Sequence, residues 1–285
     1  MTTLSTSSIK RVWFITGAAR GLGALIADAA LADGNAVVVA GRNLAALTKR
    51  FGDSPNALPV QLDVTDETQA RAAASAAIAR FGRIDVLINN AGFGLLGAVE
   101  EADDADVRRM YDTNVFGLLN VTRAVLPYMR ERKAGHVVNI SSVGGYRSGA
   151  GFGVYCSTKF AVEGLTEALH AELAPLGIHA TVVEPGYFRT DFLDASSLVK
   201  SPTIIEDYAE TAGKVREHAA QINHQQPGDP NRLAKAMVTL IDAEHPPLRM
   251  PFGTDTLAAI ASKNAYVAEE TAAWSELAAS TDFPK

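Results

Sequence analysis

Asn114, Ser142, Tyr155 and Lys159 have residue types and spacings that together describe a proton-transfer site. A free phenol, with a pKa of about 10, keeps its proton at neutral pH and becomes a useful acid or base only where a neighbour stabilises its anion. Lys159 follows Tyr155 by four residues, and residues 155–174 read as a helix, so the ammonium and the phenol share one helix face. Taken alone, the same pair describes a half-buried aromatic beside a solvated lysine, so the surrounding elements and motifs decide its meaning.

Those elements alternate. Short runs rich in Val and Ile at residues 12–15, 36–40, 58–62, 86–89, 136–140 and 180–184 predict strands buried on both faces of a parallel sheet. Ala-rich amphipathic patterns at residues 24–33, 44–51, 67–81, 104–130 and 155–174 predict the helices between them. Gly34, Gly52, Gly82, Gly135 and Gly177 stand where those helices should stop. The expected fold is α/β, a doubly wound Rossmann sheet of about seven strands, in a single domain spanning residues 1–285. Its cofactor half covers residues 10–140 and its substrate half residues 141–254. The segment 191–230 is long for a crossover, carries a helix expected at 205–222, and reads as a lid over substrate; residues 255–285 form a helical extension.

Between the first strand and the first helix stands Thr16-Gly17-Ala18-Ala19-Arg20-Gly21-Leu22-Gly23. A strand, a glycine-rich turn and a helix N-terminus bring free N–H groups and a favourable dipole to a pyrophosphate. The spacing is T-G-x-x-x-G-x-G rather than G-x-G-x-x-G. Further along come Asp63-Val64, Asn89-Asn90-Ala91-Gly92, Thr113-Asn114-Val115, the Ser142, Tyr155 and Lys159 set, and Pro185-Gly186 with Thr190. With these six segments in order over residues 10–190, the chain resembles the short-chain dehydrogenase/reductase family in its compact form.

The resemblance implies a hydride-transfer enzyme. Tyr155 would act as general acid and base, Ser142 would bind the carbonyl oxygen, and Lys159 would lower the tyrosine pKa and hold the nicotinamide ribose. Asn114 would hold a water for proton relay, although inside a helix it equally suits a cap or a kink. Ser141 competes for the serine role, and the family spacing to Tyr155 selects Ser142. Cofactor contacts are implied at Thr16, Gly17, Arg20, Gly21, Leu22 and Gly23, at Asp63 and Val64 near adenine, and at Asn90, Ala91 and Gly92. Others are implied at Tyr155 and Lys159, and at Pro185, Gly186, Phe188 and Thr190 near the carboxamide. Where NAD-preferring members carry an acid after the second strand this chain has Gly41, followed by Arg42, and Arg20 is a second cation able to reach a 2′-phosphate. NADP(H) is therefore the expected cofactor.

Phe93, Leu95, Val143, Phe152, Tyr187 and Phe192, which flank the motifs, are the candidate substrate pocket, and their apolar character suits a hydrophobic ketone, aldehyde or secondary alcohol. A 3-oxoacyl carrier-protein reductase is the alternative enzyme, kept open by arginines on the 104–133 helix; a non-catalytic NADP-sensing protein is the alternative of another class.

Composition agrees: 285 residues, 47% hydrophobic and 20% charged, can bury a large core. A formal net charge of −6 with scattered basic residues excludes an extended nucleic-acid face or attraction to an anionic membrane. The Ser- and Thr-rich first nine residues hold no apolar core of a secretory signal, so cytoplasmic residence is expected. Cys156, the only cysteine, reads as a packing residue, and no two histidines stand at metal-ligand spacing, so no metal is expected. A homodimer through the two long helices, or a tetramer, is the expected assembly.

Overall fold

Alternation along β1 (Val12–Thr16) sets up both layers of the molecule. Trp13 and Ile15 enter one core and Val12 and Phe14 the other, as the two-residue period of a strand requires. The computed structural model describes residues 9–283; the Ser- and Thr-rich start read above as lacking a targeting signal falls, through residue 8, outside them.

After β1 come α1 (Gly21–Ala32), β2 (Ala36–Gly41), α2 (Leu44–Phe51), β3 (Ala57–Gln61), α3 (Glu67–Phe81), β4 (Val86–Asn89) and β5 (Gly94–Leu96). The middle of the chain forms α4 (Asp104–Tyr111), α5 (Leu118–Arg132), β6 (Gly135–Ile140), the single turn α6 (Val143–Tyr146), α7 (Gly153–Leu173) and β7 (Ile178–Pro185). The remainder is β8 (Leu198–Lys200), α8 (Lys214–Ile222), α9 (Pro230–Asp242), β9 (Arg249–Phe252), α10 (Thr254–Ala273) and α11 (Ser275–Ala279).

Seven strands pair in parallel in the order β3-β2-β1-β4-β6-β7-β9. Apolar residues of α1 and α9 cover one face and those of α3 and α5 the other, which defines a doubly wound Rossmann fold. Strand order reverses between β1 and β4, so a crevice opens at the carboxyl ends of those strands. β5 and β8 form a separate parallel pair that stitches the segment after β7 to the loop after β4.

Several expected elements differ. The helix expected over 104–130 is divided by a π turn, Asp112–Gly117, and a Cβ on Gly117 would stand 2.6 Å from Val64 Cγ2, so the widened turn fits against the loop after β3. The helix expected over 205–222 is a 3₁₀ turn (Glu206–Tyr208), a π turn (Ala209–Gly213) and α8. α9, which the sequence reading leaves unassigned, starts with the Asp229 side chain accepting from Asn231 N and Arg232 N. Gly135 does not end a helix. Lys133 takes the left-handed conformation there, while Gly135 opens β6, where a Cβ would stand 2.6 Å from Met129 Sδ.

Candidate active site

Tyr155 enters on the first turn of α7 and Lys159 on the next, both buried. Lys159 Nζ donates to Ile140 O at the end of β6, 2.8 Å away, and stands 5.8 Å from the Tyr155 ring centroid. The helix therefore does bring the ammonium beside the phenol, but its bond runs to the sheet. Burial pushes the Tyr155 phenol above its ordinary value, and a hydrogen bond with Ser142 opposes the shift only in part. Among the protein's own groups desolvation dominates at the phenol. The same burial brings Lys159 down to about 8, with the charge of Glu163 acting in the opposite direction.

Ser142 Oγ accepts from Gly144 N at 3.1 Å, which leaves its own proton free to donate. Asn114 lies on the π turn, and its carboxamide accepts from Phe93 N at 3.1 Å and donates to Phe93 O at 2.9 Å and Thr158 Oγ1 at 3.1 Å. It is thus both at the helix irregularity and beside the site: a Cβ on Gly92 would meet Asn114 Oδ1 at 3.0 Å and Lys159 Nζ at 3.8 Å.

The crevice is a continuous cleft of about 940 Å³ running from Gly41 and Arg42 past the glycine-rich turn to Tyr155 and the segment after β7. Gly17 and Gly21 have φ of 65° and 57°, and a Cβ on Gly23 would fall 2.6 Å from Gly17 O, so the turn needs glycine at each position. No side chain caps the N-terminus of α1, and Gly21 and Leu22 at that end line the cleft, where a pyrophosphate cradle needs uncapped N–H groups. These residues fit a dinucleotide.

Most expected cofactor contacts line the cleft: Gly17, Arg20, Gly21, Leu22, Arg42, Asp63, Val64, Asn90, Ala91, Gly92, Pro185, Gly186, Phe188 and Thr190. Thr16 and Gly23 stand behind its wall, where Thr16 Oγ1 accepts from Asn90 N and Ala91 N, each at 3.0 Å. The Arg20 guanidinium bonds Ser196 Oγ and Ser196 O, tying the turn to the segment after β7. Asp63 Oδ1 accepts from Thr65 N and Thr65 Oγ1 at 3.0 and 2.8 Å.

At the other end, Phe93, Val143, Phe152, Tyr187 and Phe192 line the wall, with Phe152 and Phe192 ring centroids 6.1 and 5.6 Å from that of Tyr155. Leu95 is corrected: it faces away on β5 and packs with Met110, Tyr155 and Cys156. Cys156 is buried and its thiol is pushed up by burial. Sequence reasoning missed Gln226, which lines the cleft 1% exposed with neither side-chain polar atom bonded; within a polar stretch nothing marked it. It also missed Glu163 and Glu184, although an acid ending the apolar run 180–184 was a visible signal. Among the described residues, Asp191, the half-buried Asp194 and His224 bring their ligand atoms within 4.8 Å of one another, and His224 Nε2 pairs with Asp194 Oδ1 at 3.2 Å.

The family described as short chain dehydrogenase matches residues 11–199. Oxidoreductase BOA17 of Botryotinia fuckeliana is 39% identical over 250 residues, 87% of this chain and 90% of that protein. A 3-ketodihydrosphingosine reductase of Bacteroides thetaiotaomicron is 35% identical over 85% of this chain and 88% of its own length. Among solved structures, a short-chain dehydrogenase from Streptomyces avermitilis is 41% identical with a TM-score of 0.88, covering 96% of this chain and 99% of that one. A gluconate 5-dehydrogenase from Burkholderia cenocepacia, in complex with NADP and tartrate, is 34% identical over 66% of this chain and 75% of its own, with a TM-score of 0.62. The parallel sheet, its switch-point cleft and these matches agree, and the chain belongs to the short chain dehydrogenase family of oxidoreductases.

Proposed function

We propose that the protein is an NADPH-dependent reductase of hydrophobic ketones or aldehydes, and in reverse a dehydrogenase of the secondary or primary alcohols. One observation carries the reading: a single cleft joins a backbone cradle suited to a pyrophosphate with the buried Tyr155, Lys159 and Ser142 group. When bound, the nicotinamide supplies hydride to a carbonyl carbon or removes it from a carbinol. Tyr155, held protonated by burial, gives its proton to the carbonyl oxygen as charge develops there. Ser142 donates to the same oxygen and orients it, an electrostatic and a positional role at once. Lys159 holds positive charge beside the phenol, and Asn114 fixes the backbone of Phe93 against the same helix.

NADP is favoured over NAD by Gly41, which presents no acid to repel a 2′-phosphate, and by Arg42 beside it on the cleft wall. The NADP complex of the gluconate 5-dehydrogenase is in keeping with that choice. The aromatic wall favours an apolar substrate, and one relative is named for reducing a keto group. A carrier-protein substrate is less well matched, since Arg108 and Arg109 are paired with Asp104 and Asp106 instead of forming a basic face. A sensor without turnover has no use for a proton donor.

The test is a panel of ketones, aldehydes and acyl thioesters with NADPH and NADH, followed by NADPH carrying deuterium at nicotinamide C4. Consumption of NADPH with an apolar ketone, and deuterium on the carbinol carbon, are expected. No consumption across the panel, or preference for NADH, contradicts the reading.

A further inference from the structure

One buried polar cluster has no part in the mechanism above. Glu163 lies one turn beyond Lys159 on α7, and Glu184 lies opposite on β7 with no exposed surface. Ser141 follows β6 beside Ser142, and its Oγ, like both oxygens of Glu163 and of Glu184, is buried without a hydrogen-bond partner. One cation serves the whole group: Arg249 Nε on β9 is 3.4 Å from Glu163 Oε2 and 3.5 Å from Glu184 Oε1, and its Nη2 pairs with Glu167. A Cβ on Gly145 would stand 2.3 Å from Ser141 Oγ and 3.0 Å from Glu163 Oε1, so the turn after Ser142 lies directly on the pair. Outward, a crevice of about 530 Å³ opens between α7 and α10, with Tyr146, Lys263 and Asn264 in its walls.

Two adjacent buried carboxyls cannot both ionise beside a cation divided among three acids. One proton held between them removes the repulsion and gives a donor to oxygens that otherwise have none. The charged and titratable groups around the pair are Lys159 and Glu167 of α7, Arg249 of β9, Tyr146 of α6 and Lys263 of α10. We infer that Glu163 and Glu184 share a single proton and act as a positioning pair, the charge on Glu163 keeping Lys159 an ammonium beside Tyr155. The inference rests on the proposed proton-transfer role of Tyr155 and Lys159. Burial raises both carboxyls, Glu184 to about 7, in keeping with a proton held near neutrality.

Glu163→Gln and Glu184→Gln give opposite results on this account. Glu163→Gln removes the negative charge near Lys159, and the alkaline limb of the kcat profile moves to lower pH by roughly one unit. Glu184→Gln retains a donor, leaves Glu163 ionised, and moves the limb to higher pH. A purely structural role lowers kcat in both without moving either limb. Independently of turnover, ¹³C NMR of glutamate δ and lysine ε carbons in the protein alone should show one proton retained between the two carboxyls from about pH 5 to about pH 9, and Lys159 titrating at lower pH in Glu163→Gln than in the wild type. Should Glu163→Gln not fold, the rise in Glu184→Gln decides. Limbs that shift together or stay fixed, or two carboxyls ionised throughout from about pH 5 to about pH 9, overturn the inference. Absence of any ketone reduction would instead count against the proposed function, with the NMR titrations still deciding the shared proton.

Discussion

Burial governs proton chemistry at Tyr155 and Lys159, and it acts on the two in opposite directions, favouring the neutral form of each. For Lys159 the consequence reaches stability. Between about 8 and its ordinary value near 10.5 the folded chain has released a proton that the unfolded chain still binds, so stability rises with pH across that window. Below it the buried charge is a standing cost. Lys159→Met should therefore raise the melting temperature at pH 7, by an amount equivalent to roughly 1–2 kcal/mol, and abolish turnover, with the gain fading above about pH 10. Thermal melts across pH check this, and a variant destabilised at pH 7 would contradict it. At the other end of the cleft, a Cβ on Gly41 meets only Leu47 Cδ1 at 3.7 Å and Ala19 Cβ at 3.9 Å, so an aspartate fits there. Gly41→Asp with Arg42→Leu should shift cofactor preference toward NADH by about ten- to a hundredfold, the scale of a charge-assisted contact of roughly 1.5–3 kcal/mol. Cofactor-specific kcat/KM measures it, and an unchanged ratio would mean that a phosphate is held elsewhere.

Among the elements, the segment after β7 is held by a clasp, where the sequence suggested only a lid. Glu101 Oε2 accepts from Arg216 Nη1 on α8 at 2.6 Å and from Ala98 N at 2.7 Å, and Oε1 accepts from Ile205 N at 2.9 Å. Arg216 holds the Glu101 carboxyl down at about 2, so the clasp contributes fully above the ordinary glutamate range and is lost as pH falls toward 2. Arg216→Ala leaves a buried carboxylate unpaired and should cost about 3 kcal/mol near neutrality, with the two melting curves converging in acid. A difference independent of pH would remove the charge from the explanation. The clasp shows why this region was least legible: Glu101 and Arg216 are 115 residues apart, and neither type nor spacing links them. The inner strands of the main sheet were legible because burial on both faces leaves runs rich in Val and Ile in the chain, whereas the edge strand β9, half-buried throughout, carries no such run and was not assigned. The π turn at Asn114 was not, since its cause is the approach of Val64 to Gly117 across the fold. α9 carried readable signals in Asp229 and Pro230 but followed an irregular stretch without periodicity.

At the scale of the whole molecule, the long-helix faces decide assembly. Val115 and Leu118 are buried within the chain, whereas Phe116 and Phe160 stand 54% and 43% exposed. A homodimer burying these two aromatics is expected, with a tetramer as the alternative, and light scattering at micromolar concentration should give about twice the 30.1 kDa of one chain. A monomer mass would leave both faces exposed. Among the described residues no helix is long and apolar enough to cross a membrane. The central claim, that this cleft reduces a carbonyl with a proton from Tyr155, is tested most directly by Tyr155→Phe in the intact protein. Steady-state NADPH consumption on one apolar ketone, with NADPH affinity measured alongside, should show kcat reduced about a hundredfold or more and binding nearly unchanged. A variant that kept more than about a tenth of the wild-type kcat would contradict the account.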